Sequence, residues 1–169
     1  MTLLLFLVLQ IAAPVDSDAA IFQLVVNQQG PDLLVADRTL PLCGPPPCLG
    51  DRDVVVALKR AAGERFAAFE ERNRQPMRIA PLRGRVQMAS PEAIARTMDE
   101  GGWDELHCVY PQAKAVVYFS APAYVGDDVI LYFEEACGLR CGSGWYVRFT
   151  RDGNRWKIVE RIDLWMSTP

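Results

Sequence analysis

The chain holds a single histidine, His107, in 169 residues. A Ser–His catalytic pair would therefore have to use that one residue, and a zinc site would have to draw almost all its ligands from cysteines and carboxylates. No lysine or arginine occurs ahead of Arg38. Basic residues number 18 against 21 acidic ones, a net charge of −3, so the surplus that marks a dedicated nucleic-acid binder is missing. No internal repeat or low-complexity tract is present, and no apolar run reaches the roughly 20 residues that a helix needs to cross a bilayer. No glycine-rich loop opens a helix, so a phosphate cradle has no sequence support and no cofactor is expected. What is present is ordinary for a globular chain: half of the residues are apolar and 23% are charged. That excludes a disordered polyelectrolyte, and the length suits one domain with its own core.

The longest apolar run is Leu3–Ala13, LLLFLVLQIAA. It has the length of the apolar region of a secretory signal, and Ser17-Asp18-Ala19 supplies small residues for cleavage, with Val15-Asp16-Ser17 as an alternative. The expectation is a signal peptide over 1–19 and a single domain over 20–169. The lack of an early basic residue departs from that pattern, and a buried helix over Leu3–Ile11 is the competing reading. Five cysteines fit an oxidising compartment, so the expected location is periplasmic or secreted. Cys43 and Cys48 flank Gly-Pro-Pro-Pro, Cys137 and Cys141 flank Gly-Leu-Arg, and Cys108 stands alone. The local pairings 43–48 and 137–141 are favoured, and the cross-pairings stay open. A thioredoxin-type centre needs two residues between its cysteines and a helix N-terminus, whereas Cys43 and Cys48 have four residues between them, three of them proline. No metal site is expected.

Along the chain, Ala20–Gln29 reads as a helix ended by Gly30-Pro31, and Leu33–Thr39 as a short strand. Asp51 can cap a helix running to about Asn73, with Val55, Leu58, Ala62, Phe66 and Phe69 on one stripe. Val86–Ala89 is a short strand. Ser90 with Pro91 opens a helix that Gly101-Gly102 breaks, and Trp103–Tyr110 is a second helical piece. The last third changes character. Ala115–Ser120, Asp128–Glu135, Gly144–Arg151 and Arg155–Met166 are β-branched and aromatic runs separated by turn signals at Gly126-Asp127 and Asp152-Gly153. The predicted fold class is α+β: N-terminal helices packed on a C-terminal four-stranded antiparallel meander.

Three motifs stand close together: Cys137-Gly-Leu-Arg-Cys141-Gly-Ser-Gly144, Gly153-x-x-Trp156 and Trp165-Met-Ser167. Upstream, Gly102-Trp103, Tyr110-Pro111, Ser120 and Ala36-Asp37-Arg38-Thr39 follow in matching order. In these features the chain resembles a family of small uncharacterised exported bacterial proteins. The resemblance runs loosely from about Asp32 to Ser167 and is dense only after Tyr110. It implies an exported α+β domain ending in a β-meander, and it brings no activity with it.

Among residues that could carry chemistry, Glu160 stands out. It shares the parity of Trp156, Ile158, Ile162 and Leu164, and a period of two aims it at the core. A buried carboxylate has a raised pKa and can serve as a general acid. A bulge near Val159, or a structural pair with an arginine, would make it ordinary. Glu134 and Glu135 point to opposite faces and read as solvated charges at a strand end. Ser143 sits between glycines, but the run after it is a strand rather than the helix of a nucleophile elbow. Lys59–Arg85 carries eight basic and three acidic residues, whereas Asp99–Glu135 carries eight acids and one lysine, a split that could steer an anionic partner. Three functions follow in order. The first is a non-catalytic domain binding a protein or envelope component. The second is a small hydrolase- or isomerase-type pocket enzyme using Glu160. The third is a thiol–disulfide role for Cys43 and Cys48.

Overall fold

The structure, a computed structural model, describes residues 18–42 and 48–167. In chain order the elements are α1 (Asp18–Gln29), β1 (Leu33–Ala36), α2 (Arg52–Ala62), a 3-10 turn (Gly63–Arg65), α3 (Phe66–Arg72), β2 (Val86–Ala89), α4 (Pro91–Val109), β3 (Ala115–Phe119), β4 (Ala123–Val125), β5 (Asp128–Gly138), β6 (Cys141–Asp152) and β7 (Arg155–Met166).

The strands overturn the expected α+β arrangement of helices on a four-stranded antiparallel meander. They form one mixed seven-stranded sheet in the order β2-β1-β3-β5-β6-β7, with β4 also paired to β5. β1 runs parallel to both β2 and β3, and the remaining pairs are antiparallel. The fold is mixed α/β, with helices interleaved between strands. The physical reason lies in LLVA and VQMA. A four-residue strand can close its backbone bonds only with partners far away in the chain, and local alternation carries no trace of them. β1 is buried at all four positions, as a strand covered on both faces must be.

Helices cover both faces rather than one. α1 lays Ile21, Phe22 and Val25 on Val117, Phe119, Leu131, Phe133 and Val147. Each such side chain contributes roughly 1.5–3 kcal/mol on burial, which holds a helix too short to persist alone. The opposite face takes α2 and α3 through Leu58, Phe66 and Phe69 on Ile130, Tyr132 and Tyr146, and α4 through Ile94 and Leu106 on Leu34, Ala36 and Val116. β5 accordingly reads as a continuous buried run from Val129 to Phe133, each residue 0% exposed.

Local chemistry sets the element ends. The Asp51 carboxylate accepts from the Asp53 and Val54 N–H groups and caps α2. The helix expected to run unbroken to Asn73 turns at Gly63 and resumes as α3. α4 starts with the Ser90 cap and Pro91, and is interrupted at Gly102 (φ 64°, ψ −143°), where the Gly101-Gly102 pair predicts a break. β3 and β4 lie along one side of β5 and are separated at Ser120–Pro122. Asn73, at the end of α3, fills that gap. Its side-chain amide donates to the carbonyl of Ala121 (3.0 Å) and accepts from the Ala121 N–H (2.6 Å), taking the place of a strand partner.

Cys137 and Cys141 are disulfide-bonded, with Cα atoms 5.0 Å apart, across the turn that joins β5 to β6. Cys43 lies outside the described residues, and so does its expected pairing with Cys48. Residues 1–17, most of the expected signal segment, also lie outside them. Asp18 and Ala19 form the start of α1. Among the described residues no helix is long and apolar enough to cross a membrane.

Candidate functional site

The α2 face of the sheet gathers the polar groups that the apolar core leaves over. Alternation along β5 places Ile130, Tyr132 and Glu134 on that face, with Glu134 opposite Tyr118 of β3 and Gly144 of β6. A register shift between Gly144 and Trp145 brings Trp165 of β7 opposite Gly144. The lack of a side chain at Gly144 is what lets these groups meet. A Cβ there would overlap the Trp165 indole nitrogen and lie 2.5 Å from the Tyr132 hydroxyl. Gly142 makes similar room for the ring, and Ser167 closes the end of the strand by donating from its N–H and its hydroxyl to the Gly142 carbonyl (2.9 and 3.1 Å).

The result is an ordered relay. The Trp165 Nε1–H donates to the Tyr132 hydroxyl oxygen (2.8 Å), and the Tyr132 O–H donates to Glu134 Oε1 (2.6 Å). The same oxygen accepts the Gly50 N–H (2.9 Å) and so ties the loop ahead of α2 to the sheet. A cavity of about 550 Å³ opens beside these groups, lined by Cys48, Asp51, Asp53, Glu134, Leu164 and Trp165 among others.

Its electrostatics are one-sided. Burial pushes the Glu134 carboxyl above its ordinary value, against the donors Tyr132 and Gly50, and the charge of Asp51 adds to the push. Among the described residues no lysine or arginine forms an ion pair with Glu134. Burial and then the Glu134 charge raise both tyrosines: Tyr118 is pushed up to about 12, and Tyr132 higher still. Both therefore stay neutral at physiological pH, with Tyr132 as a fixed donor. The site is a half-buried carboxylate held by neutral donors, with two further carboxylates on the cavity wall.

The residues singled out in the sequence are scattered. Glu160 faces the same side as Glu134 but lies near the outer strand's midpoint, opposite Arg148. Its side chain is 38% exposed and bonds Arg148 Nε at 2.9 Å. The register shift there falls at Val159, between Ile158 and Glu160. Trp156 and Ile158 consequently pack on the α1 face, and Ile162 and Leu164 on the other, so the single parity read from the sequence does not hold. Arg148 also binds Asp128 (3.2 Å), as does Arg65 (3.0 Å), so the basic and acidic segments partly neutralise each other. Ser143 is half-buried in β6, whereas His107 and Cys108 are exposed on α4. Among the described residues no cluster of His, Cys, Asp and Glu could hold a metal ion.

Glu134 is the residue that the sequence reading misplaced, since it is half-buried rather than a solvated strand end. A signal for it existed. Five apolar residues precede it without alternation, which marks a strand covered on both faces, and the strand runs on past Glu135 to Gly138. Comparison with protein-family models, curated proteins and solved structures gives no match.

Proposed function

We propose that the chain is an exported, non-catalytic binding domain whose cavity at Glu134 takes a compact organic cation bearing an ammonium head. The observation that carries this reading is a half-buried carboxylate on a cavity wall with no cationic partner among the described residues. A desolvated charge of this kind is costly unless an opposite charge meets it, and a ligand can supply that charge. The Trp165 indole in the lining offers a cation–π surface, worth about 0.5–2 kcal/mol. The Cys137–Cys141 bond supports an oxidising compartment. So does the likeness of the Cys137–Gly144 and Trp165–Ser167 segments to exported bacterial proteins. In that setting the cation would be a free solute or a group on an envelope component.

Calorimetric titration with choline, a primary diamine and 3,3-dimethyl-1-butanol, the neutral carbon isostere of choline, tests the reading. The cations should bind, the alcohol should not, and Glu134→Gln should weaken the cations at least tenfold. Equal binding of the alcohol, or unchanged affinity in Glu134→Gln, would overturn it. Export is tested by the mature N-terminus of a secreted, C-terminally tagged chain. Cleavage after Ala19 would remove Asp18, which pairs with Arg72 (2.9 Å) and accepts from the Tyr124 hydroxyl (3.0 Å). Cleavage after Ser17 leaves α1 whole and is the expected site.

The raised carboxyl of Glu134 also favours a second reading, acid–base chemistry in the same cavity, with Glu134 in the role first considered for Glu160. Turnover of an ester or enolisable substrate that Glu134→Gln abolishes would select it over simple binding.

A further inference from the structure

The hairpin that joins β5 to β6 ends in a tip with no use in its own chain. Leu139 is 93% exposed. Arg140 beside it is also exposed and forms no ion pair among the described residues. The Cys137–Cys141 bond closes the turn at its base, so both side chains stand on a constrained support. A tip held in this way loses little freedom on docking, and lost freedom is a large part of what association costs. The same end of the sheet holds the opposite charge. Glu134 lies four residues before Gly138 on β5, about 13 Å at the rise of an extended strand. Its cavity is lined by three carboxylates, those of Asp51, Asp53 and Glu134, and by no lysine or arginine among the described residues.

We propose that this end of the sheet is an interface between two copies of the chain: the Leu139-Arg140 tip of one copy enters the Glu134 cavity of the other, and a two-fold axis returns the contact. The inference rests on the cavity being a site for cations, as proposed above, and names the guanidinium of a second copy as one of them.

Charge and placement both select a second copy. The tip carries the cation that the cavity lacks, and the cavity carries the carboxylates that the tip lacks. A guanidinium between Glu134 and Asp53 gains charge-assisted hydrogen bonds, and its flat face suits the Trp165 indole in the lining. Leu139, one residue earlier, has apolar lining to meet in Val54 and Leu164. Tip and cavity are offset along β5, and a two-fold axis between them exchanges each for the other. The contact is then self-complementary and closes at two copies instead of propagating as a filament. Two contacts of this size belong with small, reversible interfaces rather than obligate ones. Because partly exposed charges carry the attraction, added salt weakens it.

The test is sedimentation velocity on the natural chain from about 1 µM to about 1 mM at low salt. The chain should pass from monomer to dimer within this range, and the dimer should recede as salt is raised. Arg140→Glu at the exposed tip should weaken the dimer at least tenfold, and so should Asp53→Lys on the exposed first turn of α2. Neither charge variant should associate alone. A mixture of the two should restore a dimer, because the introduced charges meet each other in one contact while the other contact keeps the natural pairing. A chain that stays monomeric throughout, a dimer indifferent to either variant, or a mixture that remains monomeric would each overturn the interface. Choline titration of Arg140→Glu keeps the two proposals apart. Choline binding by that variant, with no dimer in the natural chain, leaves the binding function standing and the interface refuted. A dimer restored by the charge swap, with no choline bound, upholds the interface and refutes the small-cation function.

Discussion

Replacing Gly144 by alanine tests the central contact of the candidate site. The new methyl would overlap the Trp165 indole nitrogen and sit 2.5 Å from the Tyr132 hydroxyl. Neither neighbour can withdraw freely, since Tyr132 is 0% exposed and Trp165 lies over Gly142. Overpacking of this kind costs about 1–3 kcal/mol. Displacing the indole also breaks its 2.8 Å bond to Tyr132, a further loss of about 1 kcal/mol. The expected destabilisation is about 2–4 kcal/mol. Urea unfolding followed by circular dichroism would show it as a lowered midpoint at unchanged slope. Trp165→Phe removes the clashing nitrogen together with its bond, so the double variant should be more stable than the sum of the two single losses by about 1 kcal/mol or more. A Gly144→Ala protein within 0.5 kcal/mol of the natural chain, or strictly additive losses, would refute the argument that this glycine is there to admit the indole.

Asn73→Ala should cost about 3 kcal/mol in the same assay, because it strands the buried N–H and carbonyl of Ala121 that the amide now satisfies. The fold favours the protonated form of Glu134, so its contribution is fully present below the ordinary glutamate value and lost as pH rises through the raised one; Glu134→Gln should flatten that decline in unfolding midpoints. Glu160→Ala should change stability by no more than about 1 kcal/mol, since its pair with Arg148 is partly exposed, and it should leave any ligand affinity at the Glu134 cavity unchanged. Replacing both Cys137 and Cys141 by serine should lower stability by about 2 kcal/mol, the chain-entropy value for so short a loop, with the sheet retained.

Local elements were legible where a single stretch of chain decides them. Asp51 and Ser90 announce the starts of α2 and α4, and Gly101-Gly102 announces the break within α4. What could not be read was anything fixed by a distant partner. The parallel strands Leu33–Ala36 and Val86–Ala89 are each four residues long, and their pairing depends on chain more than fifty residues away. On β7 the inserted Val159 reverses the facing of the residues after it, up to the second shift at Leu164, so the alternation that pointed Glu160 inward counted across a discontinuity. The motif Cys137–Gly144 with Trp165–Ser167 was visible as a pattern. Its sense, two glycines admitting an indole that positions a tyrosine on Glu134, emerges only when the three strands stand side by side.

Gly50, Glu134 and Trp165 enter the growing polypeptide at widely separated moments. During synthesis the early loop and the middle strand exist long before the indole that orders Tyr132 is made. A nascent or truncated product stopping at Leu164 would carry the whole acidic wall without the aromatic side chain that lines it. The cavity lining is therefore not complete until β7 has been made.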